Sequence, residues 1–209
     1  RYRPGKYLNA LRPESARENE QLAILIEEEQ APFRGMVVRQ ITGAIARLKA
    51  EHPMASVQGI AADFADKESV SALIKNVDAV DILVNNVGIY TSQSFEDTRD
   101  VDWYRLFEVN VMSGVRLSRA FLPKMRQQGW GRIIFISSEC AQLVPEDLIA
   151  YSTTKAAVLT LSRGLAQTTK GTQITVNAVM PGSTLSDGAK RFLSEQATRN
   201  NKTEDEVAS

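Results

Sequence analysis

Between residues 57 and 179 the chain alternates two textures. Short runs in which nearly every position is aliphatic or β-branched are followed by longer stretches in which apolar residues recur every three or four positions. The first texture suits strands buried on both faces, the second helices that bury one stripe. The pattern predicts strands over 57–61, 81–84, 132–136 and 174–179, and helices over 67–76, 102–127 and 150–167. Val70, Leu73, Ile74 and Val77 form the stripe of the first helix. Trp103, Leu106, Phe107, Val111, Val115, Phe121 and Leu122 form that of the second. Such alternation implies an α/β fold, a doubly wound parallel sheet with helices on both faces, right-handed crossovers and a ligand cleft at the carboxyl ends of the strands.

Upstream the pattern weakens. It predicts a short strand over 7–11 and a helix over 14–30 with Leu22, Leu25 and Ile26 on one face. A second strand over 36–38 and a helix over 41–51, stopped by His52-Pro53, follow. After Pro181-Gly182 the chain turns polar, with Phe192 and Leu193 on a short helix and a charged, frayed end at 200–209.

Composition narrows the picture. At about 150 residues per domain, a length of 209 fits one domain spanning 1–209. Lys+Arg and Asp+Glu both total 25, so the net charge is zero and the basic excess of a nucleic-acid binder is missing. The longest aliphatic run, 22–26, is far too short for a membrane span, and no secretory leader opens the sequence. The single cysteine, Cys140, excludes an intrachain disulfide, and with the single histidine, His52, it makes a His/Cys metal cluster implausible. A cytoplasmic protein with no metal is expected.

The residues that change the picture most are Tyr151 and Lys155. Four positions apart on a helix, they share one face. An ammonium beside a phenol lowers its pKa from about 10 toward the range of a general acid or base. A partly buried tyrosine with a snorkelling lysine is the bland alternative. Ser138 closes the strand at 132–136, thirteen residues before Tyr151, where a hydroxyl can share a substrate oxygen with the phenol. An ordinary cap serine is the alternative there. Asn85-Asn86-Val87-Gly88 ends the preceding strand with residues that tolerate a sharp turn.

Together these residues resemble the short-chain dehydrogenase/reductase family. Asn85-Asn86-Val87-Gly88 is similar to its NNAG motif and Val109-Asn110 to the surroundings of its catalytic asparagine. Ser138, Tyr151 and Lys155 match its serine and YxxxK, Pro181-Gly182 its PG turn, and Asp63 its aspartate near the adenine ring. The likeness covers about residues 57–186. It implies a single Rossmann-like domain and an NAD(P)-dependent oxidoreductase that interconverts an alcohol and a carbonyl of a small-molecule substrate. It further implies Tyr151 exchanging the proton, Ser138 orienting the substrate oxygen, Lys155 tuning the tyrosine and binding the nicotinamide ribose, and Asn110 holding a water that links Lys155 to solvent. Asp63, Asn86 and Gly88 would line the adenine and ribose side, and Pro181, Gly182 and Thr184 the nicotinamide side. Homodimers or homotetramers through the helices at 102–127 and 150–167 would be usual, with Trp103 and Phe107 as candidate anchors. Arg39, after the second strand, leans the cofactor toward NADP rather than NAD.

One motif breaks the likeness. The glycine-rich turn that lets a backbone approach a pyrophosphate is expected after the strand at 7–11, which Gly5-Lys6 introduce. There the sequence reads Leu11-Arg12-Pro13-Glu14-Ser15-Ala16-Arg17-Glu18, without glycine and with two carboxylates. Ile41-Thr42-Gly43-Ala44 looks like the opening of that motif but reads as part of a helix. Residues 1–40 are thus atypical, and the chain ends before the family's last sheet-edge strand. Either the cofactor turn has diverged or residues 1–40 and the C-terminal end do not represent the native protein; the second reading is favoured. A non-catalytic Rossmann-like binding or regulatory protein is the alternative function.

Overall fold

A computed structural model describes residues 22–28, 34–39, 49–50, 53–182 and 203. Six strands form one sheet: β1 (Leu22–Glu28), β2 (Arg34–Arg39), β3 (Ala55–Ala61), β4 (Ile82–Asn86), β5 (Trp130–Ile136) and β6 (Gln173–Val179). Their order is β3-β1-β2-β4-β5-β6. The run β2-β4-β5-β6 is parallel, as the alternating pattern predicts. β1 alone runs the other way, antiparallel to both neighbours, Leu22 pairing with Arg39 of β2 and with Ala61 of β3.

β1 corrects the reading of 14–30 as a helix. Leu22-Ala23-Ile24-Leu25-Ile26 is a continuous apolar run, and periodicity cannot separate a buried strand from a buried helix in a run that short. Pairing on both edges decides it, as tertiary context overrides local propensity. β1 also changes the meaning of Arg39. In the doubly wound order 3-2-1-4-5-6 the first strand stands beside the fourth. Here β2 stands beside β4, so Arg39 closes the strand in the first position, and the argument from Arg39 to a 2′-phosphate loses its geometric basis.

Three helical runs follow the strands: α1 (Lys67–Asn76); the long run made of α2 (Asp100–Phe107), a π-turn (Glu108–Met112) and α3 (Ser113–Gln128); and α4 (Ile149–Thr168). Asp66 caps α1, its carboxylate accepting from the N–H groups of Glu68 and Ser69. One core joins Val70 and Leu73 of α1, Leu83 of β4, Leu117 and Phe121 of α3, Ile133 and Phe135 of β5, Val158 of α4, and Ile174 and Val176 of β6. β4, β5 and β6 each contribute one alternate set to it, as the pleat requires. Gly114 lets α3 approach β5 closely, because a Cβ there would lie 2.8 Å from Phe135 Cε1. Trp103 packs against this core, the bland alternative to an interface anchor. The strand expected over 7–11, the turn at 11–18, most of the helix at 41–51, Thr184 and the short helix around Phe192 lie outside the described residues.

Candidate active site

The sheet brings the carboxyl ends of β4, β5 and β6 side by side, and the predicted residues gather there. Asn86 ends β4, and Val87, Gly88 and Ile89 continue from it. Ser137 and Ser138 follow β5. The pairing runs on past β6: Ser137 N–H donates to Val179 O at 2.8 Å and Glu139 N–H to Pro181 O at 3.0 Å. The serine turn and the Pro181-Gly182 turn are therefore tied together. Asp63 stands apart, beyond β3, where its Oδ1 accepts from Ala65 N–H at 2.8 Å.

Tyr151 and Lys155 lie on the first two turns of α4. Lys155 is 5% exposed, and its Nζ donates to Ile136 O at 2.9 Å. Ser137 Oγ donates to Lys155 O at 2.8 Å, which fastens α4 to the end of β5. The Tyr151 hydroxyl is hydrogen-bonded to Ser138, whose Oγ also accepts from Cys140 N–H at 3.2 Å. Gly88 makes room for the ammonium, since a Cβ there would stand 3.2 Å from Lys155 Nζ.

Asn110 sits on the π-turn, a distortion frequent at functional sites. Its Oδ1 accepts from Ile89 N–H at 2.7 Å, and its Nδ2 donates to Ile89 O and to Thr154 Oγ1, each at 2.9 Å. Both amide N–H donors are thus spent on holding the loop after β4 against α4. Thr154 Oγ1 passes the link on to Tyr151 O at 2.7 Å. Ser137, Thr154 and Tyr90 were not singled out from the sequence. Thr154 lies inside the YxxxK motif and Ser137 stands next to Ser138, but spacing alone does not tell which hydroxyl a fold will engage.

The electrostatics differ from the simple expectation. Burial pushes Lys155 down to about 8. Burial also raises the Tyr151 phenol above its ordinary value, with the Ser138 hydrogen bond pulling the other way. Lys155 stands beside the Tyr151 ring. Its Nζ is engaged with Ile136 O and lies 5.6 Å from the centroid of the Tyr151 ring.

These ends fit one end of a dinucleotide. Lys155 carries three N–H donors, of which Ile136 O takes one among the described residues. Gly88 and Gly182 keep side chains out of the space beside Lys155 and Glu139. Among the described residues no cluster of His, Cys, Asp or Glu could hold a metal, and no helix is long and apolar enough to cross a membrane.

The short chain dehydrogenase family model matches residues 27–197. The chain belongs to that family. It shares the Rossmann-like doubly wound fold of a short-chain dehydrogenase from Streptomyces avermitilis, at 37% identity and a TM-score of 0.65 over 71% of this chain and 57% of that one. A Beutenbergia cavernae protein assigned as an NAD(P)-dependent gluconate 5-dehydrogenase, with NADP bound at low occupancy, is similar at 31% identity and a TM-score of 0.61, covering 66% of this chain and 56% of that one. In sequence the chain is 41% identical to the uncharacterized oxidoreductase YvaG of Bacillus subtilis, over 82% of this chain and 66% of that protein. It is 45% identical to the uncharacterized oxidoreductase YvrD of the same organism, over 66% of this chain and 54% of that protein. The chain thus spans between half and two thirds of the length of these relatives. The family match takes in β2 and the Thr42-Gly43 sequence that follows it, and leaves out 1–26. The strand entry at Gly5-Lys6 and the glycine-free turn at 11–18, the main ground for a non-catalytic reading, therefore lie outside the family portion.

Proposed function

We propose that this chain carries the catalytic site of an NAD(P)-dependent oxidoreductase that interconverts an alcohol and a carbonyl. The observation that carries the reading is the convergence of Ser138, Tyr151 and Lys155 at the carboxyl ends of β5 and α4's first turns, beside the loop that Asn110 holds. When bound, the nicotinamide cofactor supplies or accepts the hydride. The protein positions the substrate oxygen and moves its proton. Tyr151, kept protonated by burial, donates a proton to a carbonyl oxygen on reduction and takes it back on oxidation. Ser138 holds the same oxygen through its hydroxyl. Lys155 offers its remaining donors to the ribose hydroxyls, and as a cation it stabilises negative charge that develops on the phenol. Asn110 is a positioning residue, and Asp63, Asn86, Gly88, Pro181, Gly182 and Thr184 are assigned to the cofactor's flank.

The groove between α3 and α4, lined by Val115, Leu122, Leu161 and Leu165, supports pairing of two copies along these helices. We place the protein in the cytoplasm, where nicotinamide cofactors are available.

Two measurements test the reading. Fluorescence titration with NADPH and NADH should saturate, and an absence of binding at millimolar cofactor would defeat it. Tyr151→Phe should lower turnover by about 10²- to 10⁴-fold while leaving cofactor affinity nearly unchanged. Undiminished turnover in that variant would remove Tyr151 from its role.

A further inference from the structure

Among the described residues, Tyr90 is the aromatic side chain whose ring meets that of Tyr151. The two centroids are 5.9 Å apart at 64°, an edge-to-face pair. The Tyr90 hydroxyl is buried and has no hydrogen-bond partner among the described residues. Native structures rarely leave a buried hydroxyl in that state, because its lost hydration is not repaid.

The backbone around Tyr90 is tied on both sides. Before it, the N–H and C=O of Ile89 are both held by the Asn110 amide. After it, Gln93 N–H donates to Asp147 O at 2.9 Å, and Ser92 Oγ donates to the Asp147 carboxylate. Asp147 lies just ahead of α4, the helix that bears Tyr151. Tyr90 is thus a rigidly mounted phenol beside the reacting phenol, with its polar atom unspent. Fixed polar groups of this kind set orientation and discrimination in a small-molecule site.

Resting on the oxidoreductase reading, we propose that Tyr90 is a specificity-determining residue whose hydroxyl hydrogen-bonds a second oxygen of the substrate. The favoured substrates are then hydroxy-carbonyl compounds rather than simple ketones or aldehydes. Burial pushes the Tyr90 phenol up to about 12, so it stays neutral and keeps its donor across the working pH range. A site built around such a group discriminates against an analogue that leaves it unpaired.

The test compares butan-2-one with 3-hydroxybutan-2-one and 4-hydroxybutan-2-one, using the full chain with NADPH and with NADH. The wild type should favour at least one hydroxyketone by tenfold or more in kcat/KM. Tyr90→Phe keeps the ring contact and removes the hydroxyl. It should erase that preference through a rise in KM, with kcat and the turnover of butan-2-one within twofold of wild type. A preference that survives Tyr90→Phe, a preference absent from the wild type, or an equal loss on all three ketones would overturn the proposal. Failure of the wild type to bind cofactor or turn over any of the three would instead overturn the oxidoreductase reading on which it rests.

Discussion

Replacing Lys155 with methionine should make the protein more stable at neutral pH, and the gain should vanish as the pH rises. Lys155 is 5% exposed, and burial moves its pKa from the ordinary 10.5 to about 8. At about 1.4 kcal/mol per pH unit, that gap costs the folded state about 3 kcal/mol whenever the ammonium is charged in both states. Methionine also leaves Ile136 O without this donor, at a cost of about 1–3 kcal/mol, so the net gain at pH 7 is small. The pH dependence is the sharper signal. Between about 8 and 10.5 the folded protein binds fewer protons at this site than the unfolded chain, so the wild type gains stability as pH rises through that window. Below it both states are protonated and the penalty is constant; above it the penalty is gone. Lys155→Met has no such window. Denaturant unfolding of both proteins at pH 7, 8, 9 and 10 should therefore show the wild type gaining on the variant by up to about 1.4 kcal/mol per pH unit in mid-window. The other titrating groups largely cancel in the difference. Parallel curves would mean that Lys155 titrates near its ordinary value and that its ammonium is solvated, contrary to the buried placement.

Gly114→Ala should destabilise by about 1–3 kcal/mol, because its Cβ would meet Phe135 at 2.8 Å where α3 crosses β5; an unchanged unfolding midpoint would show that the helix can retreat freely. Asn110→Ala strips Ile89 N–H and C=O of their partners and frees Thr154, at a cost of about 2–4 kcal/mol, and should raise amide exchange in the loop at 87–93. Exchange at native rates there would show that the loop is held by other contacts.

How much of this was legible depended on how local each signal was. Strands β3 to β6 and the helices between them followed from apolar periodicity, with bounds moved by a residue or two. The π-turn did not follow, because Glu108–Met112 continues the same apolar stripe and an inserted residue leaves no mark in it. β1 was misread because Leu22–Ile26 is apolar throughout and its identity is decided by β2 and β3, not by its own pattern. The place of Arg39 depended in turn on that misreading. The nearness of Ser138, Tyr151 and Lys155, the proposed catalytic group, was legible, because helical spacing and a strand end set it. Tyr90 was not, since its contact with Tyr151 joins positions 61 residues apart.

The protonation states point the same way as the packing. In the proposed mechanism the acid must hold its proton until the substrate oxygen begins to take up charge, and a phenol raised by burial would do so. A lysine kept near 8 sits close to its own switching point, so its charge is available without being fully satisfied by the protein. Both shifts come first from desolvation, and both would fall away in an open, hydrated cleft. The same enclosure that costs stability at Lys155 therefore supplies the low-dielectric setting in which a cation near Tyr151 acts strongly on charge developing there.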